Sequence, residues 1–311
     1  MDVVRDELRD EKGVFCVQTI GFFDGVHIGH RYLLEQVREL ALAEGMPSMV
    51  VTFRQHPASV LRPEEDVRVL STLDEKLAKI EDCGIDYVAV LDFTPQMAQT
   101  SARDFMRDTL VRRLKGRMLV LGYDHRFGRR SAETIDDYRE YAGQLGMDVR
   151  LARELLLPDG VHASSSAIRR ALAAGDIVLA NRLLGRPYSI AGVVGHGEGI
   201  GHRLGFPTAN VVPDDPRKML PKHAAYIVRV FVGDTLRYGM LYIGDRPTFD
   251  SLAGQRVEVH ILDFDDNIYN KELRIEFVDF LRDEKAFDSP GGLKAQLGRD
   301  MEHVRAVQMK A

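Results

Sequence analysis

The period of the apolar residues changes part-way along the chain, and this limits the fold more than any other feature of the sequence. Before about residue 186, β-rich apolar runs alternate with amphipathic stretches. Residues 14–20 read as a strand and residues 21–29 as a Gly-rich turn, after which Leu33, Leu34, Val37, Leu40 and Ala41 recur at helical spacing. Residues 48–53 predict a second strand. Thr72 and Glu75 make a capping-box pattern ahead of Leu77 and Ile80, so a helix starts there. Residues 87–93 predict a third strand, 101–114 a helix and 118–121 a short apolar strand. Strands separated by helices imply βαβ units, hence a parallel sheet with helices on both faces and a ligand crevice at the carboxyl ends of its strands. Beyond residue 186 the period becomes two. Tyr226, Val228, Val230 and Val232 share one face, as do Val257, Val259 and Ile261, and Leu273, Ile275 and Phe277. Such runs with short Gly/Asp turns predict an antiparallel sheet or small barrel, and residues 292–307 a closing helix. At Leu184-Gly185-Arg186-Pro187 a helix ends in Gly and Pro bars its continuation. The boundary is therefore drawn at 186, giving domains 1–186 and 187–311.

Composition removes several classes of function. A length of 311 residues suits two domains. The net charge of -5 argues against a nucleic-acid partner, which needs a basic face, but leaves room for local anion sites. Cys16 and Cys83 are too few for a disulfide framework or a thiolate zinc site. No apolar run approaches the ~18 residues of a spanning helix. The first residues are polar and acidic, unlike a signal or transit peptide, so the cytoplasm is the expected location and no membrane partner is expected. The sequence leaves the oligomeric state open.

The segment Gly21-Phe22-Phe23-Asp24-Gly25-Val26-His27-Ile28-Gly29-His30 joins the first strand to the first helix. Gly21, Gly25 and Gly29 let the backbone turn sharply and approach a ligand, with Asp24 inside the turn. His30 falls at the helix start, where unpaired N–H groups and the dipole favour an anion. Two imidazoles three residues apart suit one triphosphate. Nucleotidyl transfer needs charge stabilisation at the α-phosphate and the leaving pyrophosphate, and no covalent nucleophile. Two histidines alone would favour a turn with two surface histidines, but His-x-Gly-His after the first strand of an α/β unit is more specific. The same tetrapeptide occurs in class I aminoacyl-tRNA synthetases, yet no Lys-Met-Ser-Lys-Ser loop accompanies it here. Ser165, Ser166 and Arg169 combine hydroxyls and a guanidinium at a helix start, which is phosphate-binding chemistry or an over-rich N-cap. Asp124 and Arg126 follow the strand at 118–121 and fall near the crevice, or form a local ion pair.

In the second half, residues 192–210 concentrate glycine, with Gly199, Gly201 and Gly205 ahead of Pro207-Thr208-Ala209-Asn210. Loops of this kind bring backbone N–H groups onto phosphate oxygens. Thr208 and Asn210 offer neutral oxygens to Mg²⁺ carried by nucleotide phosphates. By composition alone a flexible connector, with Thr208 and Asn210 merely ending a strand, is the favoured reading. Glu258 alternates with Val257 and Val259 and shares a face with His260 and Leu262. It is a candidate general base for a substrate hydroxyl if that face is partly buried; a solvent-facing strand Glu is the commoner case.

Taken in order, these residues resemble the bifunctional prokaryotic riboflavin kinase/FMN adenylyltransferases. The resemblance runs from about Thr19 to Asp300. It is carried by Gly-x-Phe-Asp-Gly-Val-His-x-Gly-His at 21–30, Thr-Phe-x-x-His-Pro at 52–57, Asp-x-Arg-Phe-Gly at 124–128, Ser-Ser-x-x-Ile-Arg at 164–169 and Leu-Gly-Arg-Pro-Tyr at 184–188. Leu-Gly-Phe-Pro-Thr-Ala-Asn at 204–210, Ile-Gly-x-Arg-Pro-Thr-Phe at 243–249, Glu-Val-His-Ile-Leu-Asp-Phe at 258–264 and Leu-Arg-Asp-Glu-Lys-x-Phe at 281–287 continue it. It implies an α/β protein: an N-terminal Rossmann-like nucleotidyltransferase domain and a C-terminal antiparallel β-barrel kinase domain with a terminal helix. It also implies two reactions. The C-terminal domain would move the ATP γ-phosphoryl to riboflavin, with Thr208 and Asn210 holding Mg²⁺-nucleotide, Glu258 as base, and Gly199, Gly201, Gly205 and Pro207 lining the nucleotide. The N-terminal domain would move AMP from ATP to FMN, giving FAD and pyrophosphate. There His27 and His30 would act on the phosphates, with Gly21, Asp24, Gly25, Gly29, Asp124, Arg126, Ser165, Ser166 and Arg169 in support. The alternative is an adenylyltransferase only, with a flavin-binding but kinase-impaired barrel. It arises because Tyr242 replaces an Asn, His202 an Arg, Ala224-Ala225 a Gly-Val and Asn270 a Gly. Phe22 likewise replaces an Asn in the first half.

Overall fold

A computed structural model describes residues 1–4, 14–122, 127–128, 133–196, 201, 204–245 and 255–310. The chain divides into two compact units, Met1–Ser165 and Ser166–Ala311.

The first unit is built on strands β1 (Asp2–Val4), β2 (Cys16–Ile20), β3 (Ser48–Phe53), β4 (Tyr87–Leu91), β5 (Gly116–Leu121) and β6 (Asp148–Leu151). They form one sheet of order β1-β4-β3-β2-β5-β6, parallel at every pairing. The strand order reverses between β2 and β5, and such a switch point opens a ligand crevice at the carboxyl ends. The segments after these two strands begin at Gly21 and Gly122. β2 and β3 are buried along their whole length, as strands covered on both faces must be. One core lies on each side of the sheet: Leu34, Val37 and Ala41 of helix α1 (Ile28–Ala43) pack on one, Phe105, Met106 and Leu110 on the other.

Short helices α2 (Pro57–Leu61) and α4 (Pro95–Ala98) flank α3 (Leu73–Glu81). The predicted capping box at the start of α3 is present: Glu75 N donates to Thr72 Oγ1 (3.3 Å) and Thr72 N to Glu75 Oε2 (2.9 Å). The single helix expected over 101–114 is instead α5 (Ala102–Phe105) running into a π-helical stretch, Met106–Arg113. The wider turn is met from the sheet, where buried Gln18 Nε2 donates to Leu114 O (2.7 Å) and Leu110 O (3.4 Å). Helix α6 (Ile135–Gln144) completes the described helices of this unit.

The second unit opens with α7 (Ser165–Ala174), whose first residue closes the first unit, and α8 (Ile177–Leu184). Gly185 ends α8 in left-handed backbone (φ 70°), the stop that its glycine predicts. Strands β7 (Ser189–Gly195), β8 (Ala209–Pro213), β9 (Ala224–Val232), β10 (Thr235–Gly244), β11 (Arg256–Ile261) and β12 (Glu272–Asp283) form a closed antiparallel barrel of order β10-β11-β8-β7-β12-β9. The period-two faces read from the sequence account for it: Tyr226, Val228, Val230, Val257, Val259, Ile275 and Phe277 are buried. Helix α9 (Pro290–Gln308) seats Val304 against Phe206, Ile227, Met240 and Leu262.

Candidate active sites

In the first unit the turn after β2 is set by buried polar bonds. The Asp24 carboxylate, 3% exposed, accepts from Leu70 N (2.9 and 3.0 Å) and Ser71 N (3.1 Å). Gly25 N donates to Ser71 Oγ (3.0 Å). The backbone is left-handed at Phe23 (φ 55°), Gly25 (φ 76°) and Val26 (φ 38°). Only glycine adopts that region freely, so Phe23 and the β-branched Val26 carry strain of roughly 1–3 kcal/mol each. Strain of this kind, held by an over-determined surrounding, is found at functional loops.

The turn delivers His27 to the N-cap of α1, where a ring nitrogen takes the place of the usual Ser or Asp oxygen. His27 Nδ1 accepts from His30 N (3.3 Å). This bond puts the proton of neutral His27 on Nε2. The two imidazoles stack, with centroids 3.6 Å apart and 21° between planes, and Phe23 meets His30 edge-on at 5.1 Å. A Cβ on Gly29 would lie 3.2 Å from the His27 ring and 3.3 Å from Ala163 O, so glycine lets α1 start this close to its cap. Ser165 Oγ donates to Asp24 O (3.0 Å), which ties the start of α7 to the same turn. The structure thus brings together Gly21, Asp24, Gly25, His27, Gly29, His30 and Ser165. Ser166 and Arg169 follow on α7, in the second unit. Asp124 and Arg126 lie outside the described residues. At the carboxyl edge of the same sheet an apolar cavity of about 300 Å³ is lined by Ile20, Phe53, Phe93, Phe105, Phe127 and Gly128. Its aromatic lining suits a planar ring. Sequence reading missed Lys76 on α3, whose ammonium is buried beneath the turn.

In the barrel, β8 and β11 pair in antiparallel register, with Glu258 opposite Asn210 and Val259 opposite Ala209. The faces alternate as expected: Glu258 and His260 line one cavity of about 290 Å³, and Val259 and Ile261 line another of about 320 Å³. Thr208 lines both. The first cavity also receives Gly201, Tyr242, Arg256 and Arg282; the second receives Pro207, Asp265, Asp266, Asn267 and Tyr269. Asn210 is buried in the strand. Gly199 lies outside the described residues, as do residues 246–249 of the predicted motif.

His260 Nδ1 lies 2.7 Å from Pro207 O, so Nδ1 carries the proton and donates to that carbonyl. Burial pulls this imidazole below its ordinary pKa, against the opposing effects of Pro207 and Asp263. The ring is therefore a neutral strut that fixes the residue before Thr208. Arg256 Nη2 donates to Glu258 Oε1 at 2.6 Å, both side chains largely buried, which sets the carboxylate's orientation. Tyr242 OH donates to Glu284 Oε1, and burial, with that carboxylate second, pushes the phenol up to about 12. Gly201 approaches so closely that a Cβ there would lie 2.4 Å from Phe206 O. Gly205 holds left-handed backbone (φ 84°). Sequence reading missed Arg256 and the role of His260 as a strut. Their signal was present, since both alternate with Glu258 on one strand face. Among the described residues no three His, Cys, Asp or Glu side chains cluster to hold a metal ion.

With this geometry in hand, the comparisons are specific. Residues 10–167 match the FAD synthetase family model and residues 184–308 the riboflavin kinase family model. The bifunctional riboflavin kinase/FMN adenylyltransferase of Escherichia coli (strain K12) is 36% identical over 286 residues, covering 92% of this chain and 90% of the relative. The protein of the same name from Pseudomonas fluorescens is 38% identical over 292 residues, covering 94% and 93%. The crystal structure of a macrolide-efflux protein from Streptococcus pneumoniae superposes with a TM-score of 0.87 at 29% identity, covering 98% of this chain and 99% of that one. Its name belongs to the streptococcal protein. Among the described residues of this chain no helix is long and apolar enough to cross a membrane.

Proposed function

The chain belongs to the bifunctional riboflavin kinase/FMN adenylyltransferase family, and from that premise we propose how its residues divide the two reactions. The enzyme phosphorylates riboflavin to FMN with ATP, then adenylylates FMN to FAD and releases pyrophosphate. We assign adenylyl transfer to residues 1–186 and the kinase to residues 187–311. The observation that carries the kinase assignment is Thr208 at the junction of two cavities, one with Glu258 on its wall. The cavity with polar Asp265 and Asn267 and the Tyr269 ring takes the nucleotide; the other, lined by Leu204, Phe206 and Tyr242, takes the flavin.

In the kinase, Glu258 Oε2 takes the proton of the riboflavin 5′-hydroxyl as its oxygen bonds to the γ-phosphorus and the bond to the ADP oxygen breaks. Arg256 holds the other carboxylate oxygen, so the base is oriented before substrate arrives. Such a transfer is accelerated by positioning and charge neutralisation. The neutral oxygens of Thr208 and Asn210 suit Mg²⁺, which keeps waters and phosphate oxygens as its other ligands. Bound there, it would neutralise phosphate charge. In the first unit an oxygen of the FMN phosphate bonds to the α-phosphorus of ATP as pyrophosphate leaves. No base is needed, because that oxygen is already ionised. His27 Nε2–H and the His30 ring donate to phosphate oxygens as charge builds, at a helix N-terminus that favours it. The apolar cavity holds the flavin ring. Both reactions draw on ATP, which fits action in the cytoplasm.

The alternative, an adenylyltransferase with an impaired barrel, is not favoured: the riboflavin kinase match spans residues 184–308, and Thr208 and Glu258 converge on one cavity. The test is chromatography of flavins after incubation with ATP and Mg²⁺, one tube starting from riboflavin and one from FMN. FMN and then FAD in the first tube and FAD in the second support the assignment. FAD from FMN with no FMN from riboflavin overturns the kinase half.

A further inference from the structure

Lys76 is 1% exposed, yet its Nζ bonds two backbone carbonyls rather than a carboxylate. It donates to Phe22 O (3.1 Å), in the turn after β2, and to Phe53 O (2.7 Å), at the end of β3. The ammonium also sits 4.1 Å from the centroid of the Phe22 ring. Thr52 Oγ1 donates to the same Phe22 carbonyl (3.1 Å). A charge taken out of water at such a place costs stability, and an apolar residue of equal length would fill the space without that cost. What the charge achieves is local. One residue beyond Phe22 the backbone enters the strained left-handed region at Phe23, and it returns there at Gly25 and Val26, immediately before His27. Phe53 O closes β3 and Phe22 O lies just beyond the neighbouring β2, both at the carboxyl edge of the sheet where the crevice opens.

We propose that Lys76 is a positioning residue for adenylyl transfer: it draws the carbonyls of Phe22 and Phe53 onto one ammonium and so holds the strained turn that places His27 and His30. The inference rests on the assignment of adenylyl transfer to these histidines. It adds an element outside the phosphate-binding loop, because Lys76 lies on α3 and reaches the turn through two backbone carbonyls and the Phe22 ring.

The surroundings of Lys76 supply a diagnostic beyond stability. Burial pulls its pKa down to about 8, opposed by the Asp24 carboxylate on the turn. Glu75, on the same helix, bonds Thr72 N (2.9 Å); Arg54, after Phe53, pairs with Asp92 (2.9 Å); His56 meets the Phe22 ring edge-on at 4.6 Å. The amine therefore discharges on the alkaline side of neutrality and its hold on the two carbonyls weakens.

The experiment compares the full chain with Lys76→Met, which keeps the length and removes the charge, and with Thr52→Val, which keeps the shape and removes one bond to Phe22 O. FAD formation from FMN and FMN formation from riboflavin are both followed from pH 6.5 to about 9.5, a range that brackets the shifted amine. A loop displaced by about 1 Å costs roughly a hundredfold. Lys76→Met is expected to lower kcat for FAD formation about ten- to a hundredfold with KM for ATP and FMN within about threefold, and Thr52→Val to lower it less. The unsubstituted chain is expected to lose FAD-forming activity above about pH 8, Lys76→Met to lack that alkaline fall, and FMN formation to be the same in both. Full FAD-forming activity in both variants, or a Lys76→Met enzyme that keeps the alkaline fall, overturns the inference while leaving the assigned function standing. Absence of FAD from the unsubstituted chain overturns that assignment and the inference with it.

Discussion

Replacing Gly201 by alanine tests whether the segment from Phe206 to Thr208 is held as tightly as the kinase assignment requires. A Cβ at position 201 would sit 2.4 Å from Phe206 O and 3.1 Å from Thr208 Oγ1. The first distance is about 1 Å short of ordinary contact. Residue 201 cannot simply retreat, because Phe206 N donates to Gly201 O at 2.9 Å and ties the two backbones together. Residues 206–208 cannot easily give way either, because His260 Nδ1 holds Pro207 O at 2.7 Å. Thr208, which lines both cavities, then absorbs the displacement. A shift of this size costs about a hundredfold in rate, and the overpacking about 1–3 kcal/mol in stability of the barrel. Steady-state FMN formation from riboflavin, with FAD formation from FMN in the same preparation as control, reads the effect directly. Gly201→Ala should lower kcat for FMN roughly a hundredfold and leave FAD formation unchanged. Kinase activity within threefold of the unsubstituted enzyme would refute the reasoning.

Three further outcomes follow from the same geometry. Glu258→Gln should reduce FMN formation by about 10²–10⁴ while FAD formation from FMN persists, since it removes the base and keeps the shape; flavin chromatography decides it, and unchanged FMN output would exclude Glu258 as the base. His30→Ala should cost about 10²–10³ in FAD formation and spare FMN formation; loss of both activities in a folded protein would contradict separate sites. For Lys76 the sign of a pH effect on stability is fixed by its folded pKa of about 8 against an ordinary 10.5. Between these values the unfolded chain holds a proton that the native one has lost. Stability relative to Lys76→Met therefore rises with pH, by about 3 kcal/mol in all, and this gain is absent below pH 8. Chemical denaturation of both proteins at pH 7.5 and 10.5 measures it, and a constant difference would contradict the burial of a charged amine.

Much of the fold is legible in the sequence where local and tertiary preferences agree. β3 coincides with the predicted 48–53, and the Thr72–Glu75 box starts α3 as its chemistry requires. The alternating valines of β9 fill the barrel wall, and Gly185 stops α8. What escapes the sequence is set by distant partners. β1 is three residues of mixed polarity, recognisable only through its pairing with β4. β6 is only four residues long and exposes three of them at the sheet edge, so its single Val149/Leu151 pair is too short a pattern to read. The π-helical turns at Met106–Arg113 answer to Gln18, about 90 residues away in the chain. In the sites, His-x-Gly-His and Pro-Thr-Ala-Asn stand out because their residue types are unusual at those spacings. Lys76 does not, because a lysine on an amphipathic helix ordinarily faces water, and only the approach of Phe22 and Phe53 buries it. His260 is visible as a neighbour of Glu258, but its bond to Pro207 depends on the β8–β11 pairing.

The central claim is that one chain uses ATP in two different ways, cleaving at the γ-phosphorus in the barrel and at the α-phosphorus beside His27 and His30. Parallel incubations of riboflavin with ATP labelled at the γ- or the α-phosphorus, followed by isolation of FMN and FAD, test it most directly. The account predicts γ-label in the FMN phosphate and in the flavin-side phosphate of FAD, and α-label in the adenylyl half of FAD alone. γ-Label in FMN with no α-label in any flavin, or α-label in FMN itself, would contradict it.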